Sequence, residues 1–141
     1  LQFLQEAGVI VPEEIPSDEA TVPLDFTQLS NRGVGTLQST FAVRHAHAIF
    51  NAAKIGSDSA IVKRELRLEK AKFRLRHKKE KVNVVAAMMD EDETISELEE
   101  KLALLDARKD ILDAVASGYA DIRDAASREI TRRTAERASV D

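Results

Sequence analysis

From residue 36 onward, apolar positions recur at intervals of three, four and seven, the spacing of one face of a helix turning roughly 100° per residue. In the first such run, residues 36–55, the recurring positions are Leu37, Phe41, Ala48, Ile49 and Ala52. Gly56 follows, at a place where a left-handed residue ends a helix, and Ser57, Asp58 or Ser59 can cap the next one. So short a turn predicts that the first and second helices are antiparallel neighbours. The second helix is expected to end near residues 88–90. The acidic run at residues 90–93 then forms a second turn, and Thr94 with Glu97 fits a capping box. A third helix is predicted from 95 to about 133. Along it Ile95, Leu98, Leu102, Leu105, Leu112, Ala116 and Tyr119 alternate threes and fours, with Lys109 as the one break. Beyond that the stripe shifts to Val115, Ile122 and Ala126, and Gly118 with Ala116 and Ala120 offers a close helix approach.

The second helix carries two apolar strips. Ile61, Leu68, Leu75, Val82 and Met89 recur every seven residues, a narrow seam of the coiled-coil type. Val62, Leu66, Phe73 and Val84 form another strip, roughly 100–140° away around the helix. A hairpin partner needs one strip. Two strips predict a second neighbour, and so a homo-oligomer with Val62, Leu66, Phe73 and Val84 at its interface.

Upstream, Pro12, Pro16 and Pro23 each disfavour helix at the preceding residue. Val9, Ile10, Val11, Ile15, Val22, Leu24 and Phe26 make this stretch too apolar for a plain disordered tail. Residues 1–26 therefore read as an extended arm that docks on its own bundle or on a partner. Residues 27–35 read as a joint loosened by Gly33 and Gly35. Their GVG lacks the downstream Gly and Lys of a phosphate loop. The expected fold is all-α: an elongated antiparallel helical hairpin or coiled-coil bundle of three helices, over residues 27–141, preceded by the arm.

Composition sharpens this picture. Of 141 residues, 33% are charged and only 4% aromatic, and cysteine is absent. That profile suits helical hairpins better than a compact enzyme. It removes disulfide and thiolate chemistry and points to the host cytoplasm or a virion. No apolar run reaches membrane-spanning length. The opening LQFLQEAGVIVP has no basic n-region and carries Glu6, so it is not read as a signal peptide.

Net charge is −4, yet the charge is segregated. Residues 63–81 hold ten Lys or Arg against three Glu, whereas residues 90–100 hold seven acids and no base. Lys63, Arg67, Lys70, Arg74, Lys78 and Lys81 recur at three and four, with His77 among them. Such a row follows the phosphates of a nucleic acid strand and gives affinity without sequence readout. Acids on a neighbouring segment are the competing partner for the same cations. Phe73 reads first as core, with base stacking as the alternative. Arg128, Arg132 and Arg133 form a weaker, secondary basic patch.

No catalytic, cofactor or metal constellation is legible. His45 and His47 are two apart and point in different directions on a helix. The acidic run lacks the Gly and spacing of a calcium loop. Ser117 has no His–acid set. The chain reads as non-enzymatic.

The order of elements resembles the UvsY-type recombination mediators of large tailed phages. The likeness runs over about residues 37–130: a helix ending in a polar turn, a basic helix with Leu66-Arg67-Leu68-Glu69 and then Lys72, and a linker. A long helix follows, with Ile111-Leu112-Asp113 and small residues leading to Ile122-Arg123. The resemblance implies a ring-like homo-oligomer that binds single-stranded DNA and helps load a RecA-like recombinase, with Arg67 and Lys72 on the DNA-binding helix. The apolar, acidic arm departs from the family pattern. It supports the alternative expectation, a bacteriophage virion or assembly protein held by its arm, docked on a viral structural protein, and by its coiled helices.

Overall fold

A computed structural model describes residues 22, 23 and 25–140. Apart from Val22, Pro23, Asp25 and Phe26, the predicted arm lies outside the described residues. The described chain is all-α. A 3-10 turn at Phe26–Gln28 leads into helix α1 (Asn31–Arg76), a short helix α2 (Val82–Glu91) and a long helix α3 (Glu93–Val140). Three helices are present among the described residues, but the break expected at Gly56 is absent: the predicted first helix and much of the predicted second are the single helix α1, so those two are not antiparallel neighbours, and α3 runs on to Val140.

Helix α1 begins five residues earlier than expected. Ser30 caps it, its Oγ accepting from the Gly33 amide at 3.0 Å, so the GVG segment forms the first turn of the helix. It then runs through Gly56 without a stop. A Cβ on Gly56 would lie 3.3 Å from Lys109 Cε and 3.6 Å from its Cδ. Glycine is there for close approach: the lysine stem of α3 crosses the helix where no side chain stands. The single break in the apolar stripe of α3 is therefore a snorkelling aliphatic stem opposite a glycine.

The chain instead reverses at residues 77–81, which contain neither Gly nor Pro. The Glu80 amide donates to His77 O at 3.0 Å, and Lys81 opens α2 with extended backbone. Asp92 separates α2 from α3. Its carboxylate accepts from the Ile95 amide at 2.9 Å and its carbonyl from the Ser96 amide at 3.0 Å. Asp92, rather than Thr94, is thus the cap of α3.

The chain divides into two compact units, Leu1–Asn51 with Leu112–Asp141, and Ala52–Ile111. In the first, α1 and α3 run antiparallel. Gln38 Nε2 donates to Ser127 Oγ at 2.9 Å, and His45 Nδ1 meets Ala116 O at 2.9 Å. A carbonyl only accepts, so the His45 proton sits on Nδ1. Phe41 packs on Tyr119 with ring centroids 5.6 Å apart. Val34, Leu37, Phe41, Ala48, Ala116 and Ala126 are buried. Gly118 has nothing within 4 Å of a Cβ, so the expected close approach is not made there.

In the second unit α1 and α3 are again antiparallel. Ser59 Oγ donates to Asp106 Oδ1 at 2.7 Å, and Lys70 Nζ meets Glu99 Oε1 at 2.9 Å. The core is Leu66, Phe73, Val85 and Ile95, with Met88, Met89, Leu98 and Leu102 packed against it. Burying each large apolar side chain contributes roughly 1.5–3 kcal/mol. Val85, Met88 and Met89, three and four apart, let α2 close over the Phe73–Ile95 end. This corrects the two-strip reading. Val62, Leu66 and Phe73 are 3%, 9% and 6% exposed within the chain itself, so they are hairpin core and not a surface for another subunit. Of that predicted interface only Val84 is exposed. Of the seven-residue seam, Ile61, Leu68 and Leu75 stand outward along α1, at 56%, 51% and 70% exposure, whereas Val82, 88% exposed, lies on α2 beyond the reversal and Met89 packs against the core.

Candidate nucleic-acid interface

The basic row is held by α1 and the turn after it. Val62, Leu66 and Phe73 fix which side of α1 meets the core. Lys63, Lys70 and Arg74 fall just beside that strip and Arg67 further round. Lys78 stands in the turn and Lys81 at the head of α2. Cations four residues apart on a helix are about 6 Å apart along its axis, so Lys63, Arg67, Lys70 and Arg74 form a regular row on a rigid element.

Five of the six are exposed, and Lys70 is half-buried. Lys70 pairs with Glu99 at 2.9 Å, both side chains partly solvated. Among the described residues, the side chains of Lys63, Arg67, Arg74, Lys78 and Lys81 make no ion pair or hydrogen bond. The acids at 90–100 therefore engage this row at Lys70. Asp92 is used as a helix cap instead. Lys72 pairs with Glu69 at 3.3 Å and is not in the row.

Phe73 is 6% exposed, so no base can stack on it. Its ring meets His77 at 4.5 Å between centroids, inclined 36°, and the Arg76 guanidinium lies 5.7 Å from its centre. Where the row reaches the turn it borders an open notch of about 300 Å³. Arg74, His77, Lys78 and Glu80 line it together with the apolar Val82, Val85, Ala86 and Met89. Sequence reasoning did not find the notch. It exists only because the helix breaks at 77–81, and no Gly or Pro marks that break.

The secondary patch is two-thirds structural. Arg132 donates from Nε to Glu129 at 2.9 Å and also binds Glu136. Arg133 donates to Glu129 at 2.7 Å, to Asn31 Oδ1 at 2.9 Å and to the Phe26 and Leu29 carbonyls at 3.1 and 2.7 Å. It thereby ties the turn before α1 to α3. Hydrogen bonds from Arg132, then Arg133, hold the Glu129 carboxyl down at about 2. The same contact with Glu129 pushes Arg132 upward. These two arginines are spent inside the fold. Arg128 alone of the three remains exposed without such partners among the described residues.

His45 and His47 are taken up locally, the first by the Ala116 carbonyl and the second by Asn51 at 3.2 Å. Among the described residues no three His, Asp or Glu side chains converge on a common point. No described helix is long and apolar enough to cross a membrane.

Among the described residues the fold is an all-α helical hairpin that exposes a cationic row and, on α1, an apolar line of Ile61, Leu68 and Leu75. Comparison with known proteins returns no family model, no curated protein and no solved structure that matches the chain.

Proposed function

We propose that this is a non-enzymatic, self-associating protein that binds the phosphate backbone of single-stranded DNA through Lys63, Arg67, Lys70, Arg74, Lys78 and Lys81. The observation that carries the reading is the row itself: five exposed cations without partners among the described residues, Lys63, Arg67 and Arg74 at helical spacing on α1 and Lys78 and Lys81 in the turn that follows it, in a chain of net charge −4. Apart from Lys70, which pairs with Glu99, these cations contribute no ion pair to the hairpin and are suited to releasing counterions from a polyanion. The resemblance of residues 37–130 to UvsY-type mediators extends the reading to loading of a RecA-like recombinase in the host cytoplasm.

Self-association rests on the seam. Ile61, Leu68 and Leu75 repeat every seven residues along α1 and face solvent, which is what a second helix of the same kind accepts. The surface for a second copy is thus this seam. The same observation favours a second reading, a virion or assembly protein whose helices pack side by side.

Fluorescence anisotropy of a labelled single-stranded oligonucleotide tests the first reading. Lys63→Glu/Arg67→Glu is expected to weaken binding at least about tenfold at low salt, since each replaces a phosphate contact by repulsion. Arg128→Glu, outside the row, is expected to change it little. Unchanged binding by the double variant contradicts the assignment, and no binding by the wild-type protein turns the account to the assembly reading.

A further inference from the structure

The notch at the end of the basic row has a composition the row does not explain. Val82, Val85, Ala86 and Met89 supply an apolar floor, and Arg74 and Lys78, with His77 and Glu80, a polar rim, around about 300 Å³. A backbone-only phosphate binder has no use for an apolar floor. A purely structural turn would cover it, yet Val82 is 88% exposed and Ala86 is also exposed. The volume lies at the lower end for small-ligand sites, sufficient for one heterocycle with its sugar. The His77 ring, backed by Phe73 at 4.5 Å, is a braced aromatic wall. The two rim cations, Arg74 and Lys78, are the last helical and first turn members of the row. A strand tracking the row is therefore delivered to the notch.

We infer that the notch is a base-binding site: one unstacked nucleobase of a bound single strand enters between the His77 ring and the Val82–Ala86–Met89 floor, while Arg74 and Lys78 hold the phosphates on either side of it. The site takes an apolar, planar group flanked by anions and reads no sequence, because every base has a π-face. Glu80 is the only acid on the rim and disfavours a phosphate on its own side, so the base enters with its phosphates toward Arg74 and Lys78. The inference rests on the single-strand reading above and adds to it the one position where a base, rather than a phosphate, is gripped. A duplex, whose bases stay stacked, has no group to place there.

The test compares two labelled oligonucleotides of equal length, oligothymidylate and an abasic strand with the same phosphates, titrated with the full chain at one low salt concentration. Wild type is expected to bind the base-bearing strand about fivefold or more tightly than the abasic one, within the range of single base-stacking contacts. Ala86→Leu keeps a good helix former and fills the notch, and should bring the two affinities together without changing that for the abasic strand. His77→Ala should narrow the gap as well, with helicity by circular dichroism confirming that both variants fold. Equal wild-type affinity for both strands overturns the base site while leaving the phosphate row standing. Absence of binding to either strand overturns the single-strand reading itself, and the base site with it.

Discussion

Two glycines that look alike in the sequence do different work. Gly56 admits the Lys109 stem, whose Cε would sit 3.3 Å from an added Cβ, whereas Gly118 faces open space. In a helix interior Ala is favoured over Gly by about 0.8–1 kcal/mol. Gly118→Ala is accordingly expected to stabilise the protein by about 1 kcal/mol in denaturant unfolding. Gly56→Ala should gain less, about 0.5 kcal/mol, because the end of a flexible lysine must move by a few tenths of an ångström. Lys109 was visible in the sequence as a break in the apolar stripe, but its cause was not, since it lies 53 residues away in Gly56. Glu129 supplies a pH signature. Its folded-state value of about 2 lies below the ordinary 4.5, so its contribution to stability is complete above 4.5 and is lost as pH falls toward about 2. Glu129→Gln should lower the melting temperature at neutral pH and flatten the acid limb of its pH profile over that window. An acid limb as steep as that of wild type would remove Arg132 and Arg133 from the account of it.

At the level of elements, the long helical stretches and the two strips of α1 were legible, because both obey helical spacing. Which strip faces α3 was not. Periodicity fixes the angle between strips, but the choice of core depends on where the chain reverses. The sequence offers a glycine at 56, where no reversal occurs, and a run of Lys, His and Glu at 77–81, where one does. The reversal lets Val85 and Ile95 cover Phe73, so tertiary packing decides it over local turn chemistry. The six cations were legible as a row for the same reason as the strips. The notch depends on the reversal at 77–81, whereas the pairing of Arg132 and Arg133 with Glu129, three and four residues apart on one helix, was within reach of helical spacing. The assignment of strips predicts opposite costs for two leucines two residues apart. Leu66→Ala should destabilise by about 2–5 kcal/mol. Leu68→Ala, at 51% exposure, should change the stability of the isolated chain by no more than about 0.5 kcal/mol. Equal costs in urea unfolding of a dilute sample would mean that the two strips share the core.

For the molecule as far as it is described, the hairpin leaves an apolar seam on α1 and a cationic row outside. On this account the seam joins copies and the row binds a strand. Leu68→Glu/Leu75→Glu is expected to reduce the mass measured by light scattering to that of the 15.6 kDa chain while preserving helicity. An unchanged mass would place the contact between copies elsewhere. The most direct test of the central claim is the salt dependence of wild-type binding to a single-stranded oligonucleotide. Single strands lose about 0.7 in log–log slope per phosphate neutralised. Five to six engaged cations therefore predict a slope of about −3.5 to −4. A slope near zero, or no binding at low salt, would contradict a phosphate-binding role for the row.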